Sequence, residues 1–190
     1  MGTLDIRFIS ANQSKIDEVT AILKPIGVTV IPINFRVEEI QTENAGLLVK
    51  DKTMRAFSKV GRPLFVEHTG LYLAHLNGLP GGLTQIFWDK LEADRFAELF
   101  GKSPDPRVTA KTIIGYTDAR SFQTFEGEIA GRIAPAPRGS RTFQWDCVFI
   151  PDGYSETFAE LGPNKSNISM RRRALDKFAE FLVGRAVEHD

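Results

Sequence analysis

The sequence predicts an α/β fold. An apolar segment at residues 4–10 is followed by apolar residues at helical spacing and then by the β-branched segment Val28–Ile33. A strand, a helix and a strand in this order are typical of a sheet covered by helices. Two long segments, 107–116 and 121–133, add an antiparallel pair. The 190 residues, 42% of them apolar and 25% charged, suffice for one domain, and no linker divides 1–190.

The first strand runs into a polar turn that extends from Ser10 to Lys15. Pro25 and Gly27 end the helix that follows, since proline disrupts helical hydrogen bonding and glycine accepts the left-handed conformation of a helix end. One face of this helix is apolar, which predicts that it packs on the sheet. The apolar residues are Ile16, Val19, Ile22 and Leu23.

An acidic loop at 38–44 and a helix at 47–60 precede the most unusual segment. There, a short apolar strand at 64–66 is followed by Glu67, His68 and a turn at Gly70. Ionisable groups at the carboxyl end of a strand are where α/β proteins hold metals and phosphates. The sequence therefore predicts a functional site at this strand end.

The remaining elements follow from turn residues and periodicity. Residues 76–82 are rich in turn formers, and two helical pieces are predicted at 83–91 and 93–100. Residues 117–120 join the antiparallel pair, and residues 146–150 form a short strand. A final helix is predicted from 169 to 185, with one apolar face formed by Ala174, Leu175, Phe178, Phe181 and Leu182.

Composition narrows the classes of protein. The formal net charge is zero, which provides no long-range attraction toward nucleic acid. The single cysteine, Cys147, permits no internal disulfide and suits a reducing compartment. Neither a signal peptide nor an apolar run of membrane-spanning length is seen. We therefore expect a cytoplasmic protein without membrane contact, and nucleic-acid binding through the basic turn at 171–173 is disfavoured.

Four segments carry candidate chemistry, and each also has a plainer explanation. The turn at 10–15 can cradle phosphate at a helix N-terminus or simply cap that helix. The glutamates at 38, 39 and 43 can supply oxygen ligands to Mg²⁺ or form a solvated loop. Phe143 and Trp145 can contact a base or pack in the core. Lys165 and the basic turn can bind phosphate or form a charged helix face. Together, these features fit a nucleotide site.

The same residues resemble the inosine triphosphate pyrophosphatase (Ham1-like) family. The resemblance extends over nearly the whole chain in five ordered blocks. The matching segments are S-A-N-Q-S-K at 10–15, E-I-Q-T-E at 39–43, V-E-H-T-G-L at 66–71 with L-P-G at 79–81, the block from Phe125 to Asp146 that contains P-R-G and F-Q-W-D, and T-F-A-E at 157–160 with Lys165 and S-M-R at 169–171.

The resemblance implies an elongated mixed sheet flanked by helices, with two lobes and a nucleotide cleft between them. It implies hydrolysis of non-standard purine nucleoside triphosphates to the monophosphate and pyrophosphate, and a homodimer. The implied cofactor is a divalent ion, Mg²⁺ in this family. The implied metal ligands are Glu39 and Glu67, and the implied catalytic residues are Lys15, Glu67 and His68. The implied substrate contacts are Ser10, Asn12, Lys15, Phe143, Trp145, Asp146, Lys165, Ser169 and Arg171.

The chain departs from the family pattern at three positions. His68 replaces an aspartate, Met170 replaces a histidine, and Gln144 replaces a glycine. A neutral imidazole can act as a base, but it suits Mn²⁺, Co²⁺ or Zn²⁺ better than Mg²⁺. A methionine cannot donate the hydrogen bond that an imidazole side chain can. An alternative hypothesis is therefore a relative that binds nucleotide without turnover, as a sensor or interaction module.

Overall fold

The computed structural model describes residues 4–187, so residues 1–3 and 188–190 of the predicted domain lie outside the described part. Six described strands form one sheet. They are β1 (Leu4–Ile9), β2 (Val28–Ile33), β3 (Leu64–Leu73), β4 (Arg107–Thr117), β5 (Phe122–Ile133) and β6 (Phe149–Pro151). Their order across the sheet is β2-β1-β3-β4-β5-β6. β1 is parallel to both β2 and β3, and the remaining pairs are antiparallel. The predicted mixed α/β sheet is confirmed.

Helices cover both faces of this sheet. α1 (Gln13–Leu23) and α6 (Met170–Val187) contact each other, α6 packs on β4 and β5, and α2 (Ala45–Val60) packs on β3 and β4. The two predicted helical pieces at 83–100 exist, because the chain leaves helical geometry at Glu92 (φ 53°) and then continues through a wider turn at Ala97–Gly101. The helices are α1 (Gln13–Leu23), α2 (Ala45–Val60), α3 (Thr84–Phe96), α4 (Phe158–Leu161), α5 (Lys165–Ile168) and α6 (Met170–Val187).

Local chemistry explains where α1 and α2 begin and end. The side chains of Asn12 and Asn44 accept backbone hydrogen bonds from the first turns of these helices, at 3.1 and 2.9 Å. An asparagine cap satisfies one of the free N–H groups of a helix start. Gly27, which follows the short helical turn after α1, and Gly61, directly after α2, have φ values of 79° and 62°. Glycine adopts this left-handed conformation without steric cost.

The core has three parts. Phe8, Phe65 and Phe178 pack between the sheet and the layer of α1 and α6, and the first two rings are stacked at 4.5 Å. A second apolar cluster lies between the sheet and α2. The third lies at the opposite end of β3, β4 and β5, where Phe96 and Phe149 pack with α3, α4 and β6. The long strands thus run through both ends of the molecule, and a cleft lies between these ends.

Two predicted boundaries are wrong. β3 does not end at Val66 but continues for seven residues, because β4 pairs with it along its whole length and Gly70 is an ordinary strand position. The predicted strand at 146–150 begins as a helical turn, Gln144–Cys147, and only Phe149–Pro151 is strand. In that turn Asp146 N–H donates to the Phe143 carbonyl, so its backbone is committed locally instead of to a neighbouring strand.

Within residues 4–187, no helix is both long enough and apolar enough to cross a membrane.

Candidate nucleotide site

The cleft begins where β1 ends. β1 pairs with β3 only as far as Phe8 and Phe65, so β3 continues beyond its parallel neighbour. The space left open beside Glu67 and His68 is a cavity of about 880 Å³. Its walls come from the first turn of α1, residues 34–41, α2, β3, α3, residues 143–145 and the start of α6. The cavity therefore lies beyond the carboxyl ends of β1 and β2, where ligands bind in open α/β sheets.

Glu67 and His68 point to opposite faces of β3. Phe65 packs in the cluster under α1 and α6, whereas Val66 packs under α2. Successive side chains alternate across a strand, so Glu67 follows Phe65 and His68 follows Val66. The predicted site consequently divides into two groups of charged residues, one on each side of β3.

The first group, here called the arginine cluster, consists of Glu67, Arg171, Lys15 and Glu18. Arg171 donates to both Glu67 oxygens, from Nε to Oε2 at 2.8 Å and from Nη2 to Oε1 at 3.0 Å. Lys15 Nζ lies 3.1 Å from Glu67 Oε1, and Arg171 Nη1 donates to Glu18 Oε2 at 2.7 Å. Burial raises the pKa of Glu67, but Arg171 and Lys15 outweigh burial and hold it well below its usual range. Glu67 is therefore ionised at neutral pH.

The second group, here called the histidine cluster, consists of His68, Glu39 and Lys52. Lys52 Nζ donates to Glu39 Oε1 at 2.6 Å, and Glu39 Oε2 lies 4.0 Å from His68 Nδ1. His68 Nε2 is buried and has no hydrogen-bond partner among the described residues. Burial, opposed by Glu39 and reinforced by Lys52, lowers the pKa of His68 to about 4. The imidazole is therefore neutral at pH 7.

The predicted phosphate turn borders the cleft and also caps α1. Ser10, Asn12 and Lys15 all line the cavity. The Asn12 side chain accepts from Lys15 N, and Ser10 Oγ accepts from Asn12 N at 3.2 Å. The capping explanation thus holds, and it does not conflict with anion binding, because the caps leave the Lys15 ammonium beside the cavity.

The aromatic end of the cleft is formed by Phe143 and Trp145. Phe143 lines the cavity, and Lys165 Nζ lies 4.3 Å from the centre of its ring. Trp145 also lines the cavity but is 3% exposed, because its ring packs against Phe149 and Phe158. A ring held in this way can form a rigid wall for a planar ligand.

Three predicted contacts lie behind this wall and not on the cavity itself. Lys165 Nζ donates to Asp146 Oδ2 at 2.5 Å, and burial raises the pKa of Asp146. Ser169 is buried, and its Oγ accepts a hydrogen bond from Arg172 N in the first turn of α6. A direct contact between a ligand and Asp146, Lys165 or Ser169 would require these side chains to turn toward the cavity.

Sequence reasoning missed several cavity residues, of which Lys52 is the clearest. Lys52 lies four residues after Leu48 and four before Ala56, both of which are buried on the core-facing side of α2. A lysine on the apolar stripe of a helix was the available signal, because such a charge needs a buried partner. Arg36, Gln85 and Asp89, which line the cavity, carried no comparable signal, and neither did Glu18, which binds Arg171.

Gln144 reaches across the cleft to α3. Its Nε2 donates to Gln85 Oε1 at 2.6 Å, although its own φ of 36° is one that L-residues rarely adopt. Met170, at the start of α6, is 1% exposed and also lines the cavity. Both departures from the family pattern therefore lie on the cavity wall.

The described residues do not provide a ready site for a divalent ion. They contain no group of three histidine, cysteine or acidic side chains arranged to hold a metal. Both oxygens of Glu67 are bonded to Arg171, and one oxygen of Glu39 is bonded to Lys52. Mg²⁺ requires oxygen ligands in near-octahedral geometry. The prediction that Glu67 helps to hold the metal would require the ion to share this carboxylate with Arg171 and Lys15, which already occupy about three of its four acceptor sites.

The fold and the cleft together define a class of α/β protein in which cationic and aromatic side chains line one cavity beyond the parallel strands. The chain belongs to the Ham1 family, whose model matches residues 6–181. This confirms the family resemblance seen in the sequence.

Relatives and solved structures agree with this membership. The chain is 32% identical over 180 residues to a dITP/XTP pyrophosphatase of Methanopyrus kandleri, covering 94% of this chain and 96% of the relative. It is 33% identical over 186 residues to an inosine triphosphate pyrophosphatase of Yarrowia lipolytica, covering 96% and 98%. A HAM1 protein of Coxiella burnetii superimposes with a TM-score of 0.80 at 25% identity, covering 96% of this chain and all of the other.

Proposed function

We propose that this chain hydrolyses purine nucleoside triphosphates, non-standard ones in particular, to the nucleoside monophosphate and pyrophosphate. The observation that carries the proposal is the convergence of Lys15, Lys52, Arg171 and the Phe143 ring on one cavity of about 880 Å³. Cavities that bury small ligands span about 300–1,000 Å³. Support also comes from relatives that are named as pyrophosphatases of this kind.

The triphosphate would lie along the cationic part of the cleft. Lys15 and Lys52 present ammonium groups from opposite sides of β3, and Arg36 lines the same cavity from the loop before α2. Ser10 and Asn12 hold the first turn of α1, whose N–H groups favour an anion. These contacts would hold the phosphates and balance their charge, which is how enzymes accelerate phosphoryl transfer.

The purine would stack on Phe143, beside the wall formed by Trp145. Lys165 and Asp146 would fix the position of the Phe143 turn and contact the sugar or base after a side-chain rotation. Ser169 holds the start of α6 and thereby positions Arg171. Because Met170 offers no hydrogen-bond donor to a base edge, we propose a base preference different from one set by a histidine at this position.

In the reaction, water attacks the α-phosphorus and pyrophosphate leaves. His68 would accept a proton from the attacking water as the oxygen–phosphorus bond forms, because its imidazole stays neutral and lies beside the cavity. A divalent ion carried on the phosphates, Mg²⁺ by family or Mn²⁺ given His68, would neutralise further charge. Glu39 holds one oxygen free of Lys52 and is the candidate contact to that ion.

The second candidate function is nucleotide binding without turnover. The relatives named as pyrophosphatases do not favour it, and its motivation is His68 and Met170, which stand where the family pattern has a carboxylate and a hydrogen-bonding ring. The double variant His68→Asp with Met170→His distinguishes the two functions. If hydrolysis arises only in this variant, the natural chain is a binding protein.

A panel of ITP, XTP, dITP, GTP and ATP with Mg²⁺, Mn²⁺ or Co²⁺, measured for pyrophosphate release, tests the proposed reaction. We expect turnover in at least one combination and a large loss of it in Lys15→Ala. Lys24→Ala is the matched control, because Lys24 is exposed just beyond the other end of α1. If no combination of nucleotide and metal releases pyrophosphate above the blank, the proposed hydrolysis is refuted.

We also propose a homodimer in the cytoplasm. The family resemblance suggests the dimer, and the single buried cysteine is consistent with a reducing compartment. Light scattering after size-exclusion chromatography gives the molar mass directly, and a mass near 21.2 kDa would contradict the dimer.

A further inference from the structure

We infer that this cleft binds no divalent cation on its own, and that the ion enters only together with the nucleotide phosphates because residue 68 is a histidine. Entry of the ion with the nucleotide rests on the proposed function, since it requires a nucleotide to bind. Exclusion of the ion from the free protein rests on the charges and contacts of the two clusters.

The charges of both clusters balance without a metal. In the arginine cluster, the carboxylates of Glu67 and Glu18 face the cations of Arg171 and Lys15. In the histidine cluster, Glu39 faces Lys52. An imidazole carries no negative charge, so His68 adds no Coulombic attraction for a cation and offers at most one neutral nitrogen ligand. Neither cluster therefore has the excess negative charge that would draw a divalent ion out of water.

Most carboxylate oxygens in the clusters already pair with cations. Arg171 and Lys15 use both oxygens of Glu67, which is 5% exposed, and Lys52 uses one oxygen of Glu39. The remaining pair, Glu39 Oε2 and His68 Nδ1, is a mixed oxygen and nitrogen pair 4.0 Å apart. An ion there would also lie close to the Lys52 ammonium, and like charges at such distances repel strongly in a partly buried site.

Nucleotide phosphates reverse this balance. When phosphate oxygens pair with Lys15 and Lys52, the carboxylates of Glu67 and Glu39 lose part of their compensation and the cleft gains negative charge. The phosphates also supply the oxygen ligands that the protein lacks. Cation binding and nucleotide binding are then thermodynamically coupled, and each raises the affinity of the other.

Equilibrium dialysis of Mn²⁺ against the nucleotide-free protein is the test. We expect the natural chain to bind far less than one equivalent at a Mn²⁺ concentration at which His68→Asp binds about one, a shift of about tenfold or more in Kd. His75→Asp is the control, because His75 is exposed near the end of β3 and the same charge there should recruit no ion. Adding an ITP analogue with a nitrogen between its α- and β-phosphorus atoms should bring the natural chain to about one equivalent.

Each outcome decides the inference. Stoichiometric Mn²⁺ binding by the natural chain without nucleotide would overturn it, and this measurement needs no variant to fold. Equal binding by His68→Asp and His75→Asp would overturn the assignment to position 68. If the analogue itself fails to bind, the proposed function fails, while the comparison of the nucleotide-free proteins still decides whether His68 excludes the ion.

Discussion

At the scale of single residues, the adjacent pair Glu67 and His68 defines the chemistry of the cleft. Strand alternation sends them to opposite faces of β3, where each meets a different set of charges. Glu67 is stabilised as an anion by Arg171 and Lys15, whereas His68 is kept neutral by burial. One strand thus presents a fixed negative charge and an uncharged ring to the same cavity.

The neutral state of His68 predicts an acid sensitivity of folding. Its pKa is about 4 in the folded protein and 6.5 in a model peptide, so the unfolded chain binds more protons between these values. Stability therefore rises with pH through this window and is lost as pH falls from 6.5 toward 4. Between pH 6.5 and 4.5, we expect the free energy of unfolding to fall by about 2 kcal/mol less in His68→Gln than in the natural chain.

Urea unfolding at several pH values measures this effect. His75→Gln is the matched control, because it makes the same substitution at an exposed histidine outside the cleft. Restricting the comparison to pH above 4.5 limits the contribution of Glu67, whose lowered pKa stabilises the fold above the unfolded value and loses that effect at lower pH. Parallel profiles for His68→Gln and the natural chain would contradict the prediction.

Removing the charge of Glu67 should be costly. Within residues 4–187, Glu67→Gln leaves Arg171, which is 4% exposed, with the Glu18 carboxylate as its one remaining ion-pair partner. Breaking a buried ion pair by removing one member costs about 3–5 kcal/mol. We expect a loss near the lower limit, measured by urea unfolding at pH 7, because Glu18 remains.

Glu38→Gln is the control for that measurement, since Glu38 is exposed on the loop at the rim of the cleft. If Glu67→Gln lowers the free energy of unfolding by less than about 1 kcal/mol, as is typical of surface ion pairs, the ion pair is not a buried one. Arg171 would then regain contact with water when Glu67 loses its charge.

At the scale of elements, the close approach of α6 to β5 positions the first turn of α6 beside the cleft. Gly127 on β5 lies under this turn, and a Cβ atom there would collide with the backbone of Met170 and Ala174. The contact is between backbone atoms, so side-chain rotation cannot relieve it. The absence of a side chain on Gly127 therefore lets Arg171 reach Glu67.

Two glycine-to-alanine changes should have opposite effects. Gly127→Ala should destabilise the fold by about 1–3 kcal/mol, because overpacking forces the backbone to shift. Gly184→Ala should stabilise it by about 0.5–1 kcal/mol, because Gly184 lies within α6 and a Cβ there meets nothing. Thermal unfolding of both variants measures the signs, and destabilisation by both would contradict this account of the packing.

At the scale of the whole molecule, the cleft lies between two packed ends that share β3, β4 and β5. A ligand in the cleft contacts both ends, so its binding stabilises the whole fold against unfolding. At a concentration about 100 times its Kd, a ligand adds about 2.7 kcal/mol, which raises Tm by roughly 5–11 °C for a chain of this size. We expect a shift of this order with the nitrogen-bridged ITP analogue.

A thermal shift assay tests this expectation, with Lys15→Ala as the variant that should lose most of the shift. Lys24→Ala should retain it, because Lys24 lies outside the cleft. An equal shift in all three proteins would show that the analogue stabilises the chain from somewhere other than this cavity.

The sequence by itself determined the order of the elements and the family. Helical spacing in α1 and α6, the alternation in β4 and β5, and the glycine stops are local properties that a chain carries before it folds. The five motif blocks also occur in the family's order, and they predicted site residues such as Lys15, Glu67, Phe143 and Arg171. The predicted element boundaries were wrong where pairing with a neighbouring strand decides how far a strand extends, as at Gly70 in β3.

Only the tertiary structure decided which charges compensate one another. Glu67 and Arg171 are 104 residues apart in the chain, and their bidentate contact exists because Gly127 lets α6 lie close to β5. The pairing of Lys52 with Glu39 was likewise decided by the fold, since the packing of α2 places the two groups 2.6 Å apart. Electrostatic balance depends on distances between distant segments, so no local pattern could show that Glu67 pairs with Arg171 and Lys15, or that the charges of both clusters balance without a metal.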